Sequence, residues 1–303
     1  MKYWLGVTDN GWFDYLSNQH PDEVNFWQPS GKAPFIGLEP GAPFLFKLKR
    51  PFNHVAGGGF FVKFSTLPLS MVWETFGNKN GAHNRAAFEV MIRRLAPDPR
   101  AKDPNLGCTI LTAPFFWPRE KWIEAPRDWT SNIVRGRYYD SRVGEGARLW
   151  SLVGTRQEAQ PVIHDASARY GEATLINPRL GQGAFRVIVT DAYQRRCAIT
   201  GERTLPVLEA AHILPFAEYG PNEVTNGLLL RSDFHKLFDV GLVTVTPDLH
   251  IEISPKIREE WVNGKAYYRL HGQRLASVPS EPAHSPAPPA RSNDCPACSA
   301  TSE

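Results

Sequence analysis

The chain has 303 residues, enough for about two domains of roughly 150 residues each. Its composition is that of an ordinary soluble protein, 42% hydrophobic and 21% charged, and a net charge of +3 permits a nucleic-acid partner without demanding one. Four Cys make no secreted-type disulfide framework, the N-terminus MKYWLGVTDNGWFDYL has no signal-peptide core, and no run of about 18 apolar residues exists to span a membrane, so a cytoplasmic, reduced protein is expected.

In chain order, Tyr3–Asp9 is an apolar, strand-like run, followed by a Gly turn and a short amphipathic piece. Val24–Gly31 (VNFWQPSG) reads as a loop of turn formers. Pro40-Gly41 make a turn, and Phe44, Phe46 and Leu48 alternate with Leu45, Lys47 and Lys49 as a strand leaving it. Lys47, Lys49 and Arg50 form a basic cluster whose plain reading is solvated surface. Three glycines, Gly57–Gly59, precede a strand over Phe60–Phe64. They read as a bulge at a barrel corner, or as a place where backbone approaches a nucleic acid. No Lys-Ser/Thr pair follows, so they are not a phosphate loop. Ser70–Gly81 predicts a helix stopped by Gly77, Ala86–Leu95 a second helix, and Asn105–Pro114 a further strand. Arg135–Tyr139 closes this half, which sums to a small mixed barrel ending near residue 155. Seven of the nine Trp (Trp4, Trp12, Trp27, Trp73, Trp117, Trp122, Trp129) lie in it; packing is their default task, and exposed ones stack on bases.

Four elements of this half, FWQPSG, the GAPFLFKLK strand, GGGFF and the helix bearing Trp73, resemble the PUA-like group, in particular EVE-type modified-base reader domains. The resemblance covers residues 1–155 and implies a cleft that takes a base flipped out of the stack between aromatic walls. Candidates for its lining are Trp27 with Ser30, Phe60 or Phe61, and Trp117; each Trp equally fits a core position.

Residues 156–172 are polar and read as a linker. RLGQGAFRVIVTDAY then predicts a helix with Phe185, Val189 and Tyr193 on one face, accompanied by Arg179, Arg186, Arg195 and Arg196, of which Arg179 and Arg186 are candidate DNA contacts. Cys197–Gly201 (CAITG) is a turn. Val207–His212 is an apolar strand that ends on a His, and Asn226 opens the returning strand NGLLL. Ser232 reads as the N-cap of a helix, with Asp233 in its first turn and His235 and Asp239 four apart on one face. Beyond His250 the pattern predicts one or two more strands, with a turn at Asn263-Gly264. Residues 273–303 are rich in Pro and Ser and read as disordered, and Cys295 and Cys298 there make only half a metal site.

Taken singly, each of these features is bland: a His at a strand end is usually structural, an Asn-Gly pair is usually a turn, and a His-Asp pair four apart is usually a surface hydrogen bond. Together, with the R-L-G-Q-x-x-F-R run and the C-x-x-T-G turn, residues 170–270 resemble the HNH family of predicted restriction endonucleases. The resemblance implies a ββα-metal fold in which His212 activates water, Asn226 pins the loop that orients it, and His235 with Asp239 holds one divalent metal, Mg²⁺ or Mn²⁺. Many such sites carry a further ligand just before the base His; here that position is Ala211, and the nearest strand carboxylate is Glu209. Thr200 stands where a knuckle's second Cys would be, so no structural zinc is expected.

The expectation is therefore an α+β chain: a PUA-like mixed-barrel reader (1–155), a linker (156–172), an HNH nuclease (173–272) and a tail (273–303). Its partner is double-stranded DNA carrying modified cytosine, 5-methyl or 5-hydroxymethyl. One site cuts one strand, so a homodimer or two nicks would make a double-strand break. Two alternatives stay open: a reader whose HNH module has decayed, and a nuclease whose first domain does not read modification.

Overall fold

The computed structural model describes residues 1–157, 180–215, 220–261 and 264–286 and divides into two compact units, Met1–Ala184 and Phe185–Glu303. Both mix helices with strands, which makes the fold class α+β. The division falls later than the linker read at 156–172, of which 158–172 lie outside the described residues.

The first unit is built on β1 (Lys2–Thr8), β2 (Glu23–Gln28), β3 (Pro43–Leu48), β4 (His54–Pro68), β5 (Asn105–Phe116), β6 (Ile123–Glu124) and β7 (Gly136–Asp140). They form one sheet in the order β2-β5-β4-β3-β1-β7, with β6 added to β4. Only β1 and β3 run parallel, and the chain between them holds α1 (Asn10–Gln19) and β2. Asp9 starts α1 by accepting from the Gly11 and Trp12 amides at 3.0 and 3.3 Å. Helix α2 (Leu69–Phe76) stops at Gly77, whose φ of 49° suits a residue without Cβ. Asn84 caps α3 (Arg85–Leu95), and α4 (Gly144–Gln157) follows β7.

Three expectations change here. The stretch read as a loop at Val24–Gly31 is a strand through Gln28, because its backbone pairs with β5 from Glu23↔Thr112 to Gln28↔Gly107, and only its Pro-Ser-Gly end turns. The three glycines lie inside β4. A Cβ on Gly57 would come 2.2 Å from the Phe115 carbonyl oxygen and one on Gly58 2.7 Å from that of Phe44, so these two serve strand packing within the sheet, and the bulge read for the run is present between Gly58 and Phe60, within a strand. The barrel does not close: β2 and β7 end the hydrogen-bonded order without pairing, although bulges between Gly58 and Phe60 and between Phe61 and Lys63 bend β4.

Alternation along β3 sends Phe44, Phe46 and Leu48 to an aromatic core with Trp4, Trp12, Phe13, Phe35 and Phe61, and Leu45 to a second core with Tyr3, Val55, Trp117 and Leu149. Lys47, read as solvated, is buried, with its ammonium 5.1 Å over the Trp129 ring. Burial, with the charge of Arg50 added, pushes its pKa down.

Helix α5 (Gln182–Ala192) starts at the last residues of the first unit, and its Phe185, Val189 and Tyr193 enter the core of the second as their spacing predicts. The second unit continues with β8 (Leu208–His212), β9 (Gly227–Arg231), α6 (Ser232–Asp239), and the hairpin of β10 (Val243–Val245) with β11 (Ile251–Ile253). The stretch after β11, read as strand, is instead α7 (Lys256–Trp261) and α8 (Lys265–Tyr268), and Asn263 lies outside the described residues. The tail read as disordered from 273 is placed through 286: Leu275 is buried in the core and the Ser277 amide donates to Ala198 O at 3.1 Å. Its half site, Cys295 and Cys298, lies outside the described residues. Among the described residues no helix is long and apolar enough to cross a membrane.

Candidate active site

The site is assembled on an antiparallel pair and the helix that leaves it. Glu209 stands opposite Leu230, Ala211 opposite Leu228 and His212 opposite Gly227. Leu208, Ala211, Leu228, Leu229 and Leu230 fasten both strands to the core that also holds Phe185, Val189 and Phe234. A Cβ on Gly227 would come 2.5 Å from a Val189 methyl and 3.2 Å from the Phe185 ring, so the Asn-Gly dipeptide is more than a turn former: Gly lets β9 begin against α5.

His212 is half-buried. Its ring lies on Phe185, with centroids 3.9 Å apart and planes 13° from parallel. Its Nε2 is 2.8 Å from Asn222 Oδ1. Phe185 is the aromatic of the R-L-G-Q-x-x-F-R run, which gives that motif a local task. Asn222 is a residue that sequence reasoning missed. Its only signal was an Asn four before Asn226, and Asn is common in loops. Asn222→Ala removes one hydrogen bond to the ring, so a three- to tenfold slower cleavage is expected, about the worth of a single such bond. Single-turnover rates check this; an unchanged rate rules out a role for Asn222 in holding His212.

Asn226 is buried and fully bonded. Its Oδ1 accepts from the Leu214 amide at 2.8 Å, and its Nδ2 donates to Leu214 O and Pro221 O at 3.0 Å each. It thereby ties together both ends of the loop between β8 and β9.

Helix α6 follows β9 without a connecting loop. The expected Ser232 cap is not made: Ser232 is already helical and Arg231 holds the cap position. Arg231 instead forks onto Asp233 at 2.6 and 2.7 Å, and Tyr267 OH donates to the same carboxylate at 3.2 Å. The guanidinium holds the Asp233 carboxyl below the usual carboxylate range. Two residues on, His235 Nδ1 is 2.6 Å from Glu209 Oε2, and its Nε2 is 3.5 Å from Asp239 Oδ2.

A divalent cation binds His nitrogen and carboxylate oxygen at about 2.0–2.2 Å, so two donors sharing one ion stand about 3.0–3.5 Å apart. The His235–Asp239 pair meets that spacing at 3.5 Å. Among the described residues no group of three His, Cys, Asp or Glu surrounds one point, so water and phosphate would supply the remaining donors. Ala211 is fully buried in the core and contributes no ligand. Cys197 Sγ accepts from the Thr200 and Arg231 amides at 3.4 and 3.3 Å, tying its turn to the start of α6.

Trp27 stands on β2 with its indole N–H on Asn80 O at 2.9 Å and its ring edge-on to Phe88. Ser30 follows in the turn after β2, half-buried. Phe60 and Trp117 are each 3% exposed and both lie beside Phe115, so neither offers a free face to a base. Arg186 is half-buried on α5, and Arg179 lies outside the described residues.

Residues 197–246 match the HNH endonuclease family. The ASCH protein of Zymomonas mobilis is a structural neighbour at 14% identity and TM-score 0.34, over 49% of this chain and 94% of its own. The modification-dependent TagI restriction endonuclease is another, at 15% identity and TM-score 0.27, over 93% of this chain and 76% of its own. No curated protein matches the chain. From the Cys197 turn through β8, β9 and α6 to β10, the chain carries an HNH endonuclease domain.

Proposed function

We propose that the chain is a cytoplasmic, modification-dependent DNA endonuclease of the kind that restricts phage or other foreign DNA carrying modified cytosine. In the second unit, His212 accepts a proton from the attacking water. His235 and Asp239 hold Mg²⁺ or Mn²⁺, which when bound neutralises charge at the scissile phosphate and its leaving oxygen. Asn226 keeps the loop after His212 closed and so keeps the ring in place. The observation that carries this reading is the joint geometry of His212, Asn226 and His235–Asp239 on one hairpin and the helix it feeds.

The first unit supplies selectivity in this reading by flipping a modified cytosine, 5-methyl or 5-hydroxymethyl, into an aromatic site. Its support is the aromatic core face. Phe26 and Phe64 are half-buried there, Phe26 against Trp12, Phe44 and Phe46, and Phe64 against Phe35. Beside them Trp4 Nε1, Trp12 Nε1 and Thr109 Oγ1 are buried with no hydrogen-bond partner among the described residues. Buried polar atoms without partners are costly and uncommon, and the edge of a flipped base carries groups that would satisfy them. A homodimer would place two nicks on opposite strands.

Cleavage of unmodified, 5-methylcytosine and 5-hydroxymethylcytosine duplexes tests both halves. Cutting is expected only on modified DNA with Mg²⁺ or Mn²⁺; EDTA abolishes it and added metal restores it. No cutting of any substrate favours a non-catalytic reader, whose one observation is Ala211. Equal cutting of all three removes the modification-reading half.

A further inference from the structure

Glu209, given no role above, makes a close polar contact with His235. The two are 26 residues apart in sequence, one on β8 and one on α6, yet Glu209 Oε2 lies 2.6 Å from His235 Nδ1. The opposite edge of the same ring faces Asp239, with Nε2 3.5 Å from Oδ2. A neutral imidazole carries one proton, and a carboxylate 2.6 Å from Nδ1 places that proton on Nδ1. The lone pair then sits on Nε2, the nitrogen that faces Asp239. Glu209 meets the ring on the side away from that carboxylate, so it does not converge with Asp239 on a shared ion.

We propose that Glu209 is a positioning residue: it sets the tautomer and the ring orientation of His235, so that Nε2 can bind the metal, and it is not itself a ligand. The proposal rests on the reading of His235 and Asp239 as the metal pair. It also bears on the missing ligand before His212. Ala211 points into the core, where it is fully buried, so strand β8 contributes to the metal through the histidine of α6. Carboxylates that accept from the far nitrogen of a metal-bound His typically change affinity by 10–100-fold when removed.

The test is Mn²⁺ titration of the full chain by calorimetry, with paramagnetic resonance of free Mn²⁺ as a second readout, on wild type and on the Glu209→Ala, Glu209→Gln and His235→Ala variants. Glu209→Ala is expected to weaken binding about 10–100-fold. Glu209→Gln is expected to stay within about threefold of wild type, because its amide oxygen still accepts from Nδ1–H. His235→Ala is expected to abolish binding at this site. Nitrogen NMR of the metal-free protein is expected to show His235 protonated on Nδ1 in wild type and in Glu209→Gln, and a mixture of tautomers in Glu209→Ala. Binding by Glu209→Ala at wild-type strength overturns the proposal. So does a loss in Glu209→Gln as large as in Glu209→Ala, which would make the carboxylate a ligand. If His235→Ala binds Mn²⁺ as tightly as wild type, the metal reading falls, and the proposal with it. Matching thermal melts for the two Glu209 variants separate positioning from folding.

Discussion

His212→Ala is expected to slow DNA cleavage by about 10²–10⁴-fold, the range for loss of a general base, while Mn²⁺ binding stays at wild-type strength. The separation follows from where the groups sit. His212 ends β8 and is held by Phe185 and Asn222, whereas the proposed metal pair, His235 and Asp239, lies on α6. Removing the imidazole gives up a stacked ring contact worth about 0.5–1.5 kcal/mol, so only a modest drop in melting temperature is expected beside the large loss of rate. Single-turnover cleavage at saturating DNA and metal, together with Mn²⁺ titration, checks both parts. His235→Ala should behave in the reverse sense and lose metal first. A His212→Ala protein that cuts at the wild-type rate would show that another group activates the water.

The second large effect is expected at Asn226. Replacement by Ala removes three hydrogen bonds at once and leaves the Leu214 amide and the Leu214 and Pro221 carbonyls to find other partners. Each polar group left unmade in a buried site costs about 1–3 kcal/mol, and water reaches part of this loop, so a total near 2–4 kcal/mol is expected. For a unit of this size that lowers the melting midpoint by roughly 10 °C. Asn226→Asp is a sharper test. It keeps an acceptor for the Leu214 amide but faces two carbonyl oxygens with a group that has no proton to give them. It should therefore be at least as damaging as Ala despite its matching shape. Thermal melts and cleavage rates of the two variants give the answer, and wild-type behaviour in either would mean that the loop is held by something else.

Local patterning carried much of the second unit. The apolar run before His212, the four-residue steps from Phe185 to Val189 to Tyr193, and the four-residue step from His235 to Asp239 are each short-range features that fit strand and helix periods. The helix after β9 was legible for the same reason, although its first residue was not: Ser232 is already helical and Arg231 holds the cap position. Less of the first unit was legible. Strand β2 is short, lies at the end of the sheet and runs into Pro-Ser-Gly, so its composition resembles a loop until β5 is there to pair with it. The glycines of β4 left a bulge and a ligand approach both open for a similar reason: the atoms that exclude a Cβ belong to Phe44, in the strand before, and Phe115, in β5.

Residue order alone pointed to an α+β chain and, through its resemblance to the HNH family, to His212, Asn226, His235 and Asp239 as candidate site residues, because strand and helix periods act within a few residues along the chain. Folding was needed to bring Glu209 to His235, Asn222 to His212 and Phe185 under that ring, and to turn Ala211 into the core. Those contacts join separate elements at hydrogen-bond or packing distance, and no local spacing rule encodes which distant side chain will meet which.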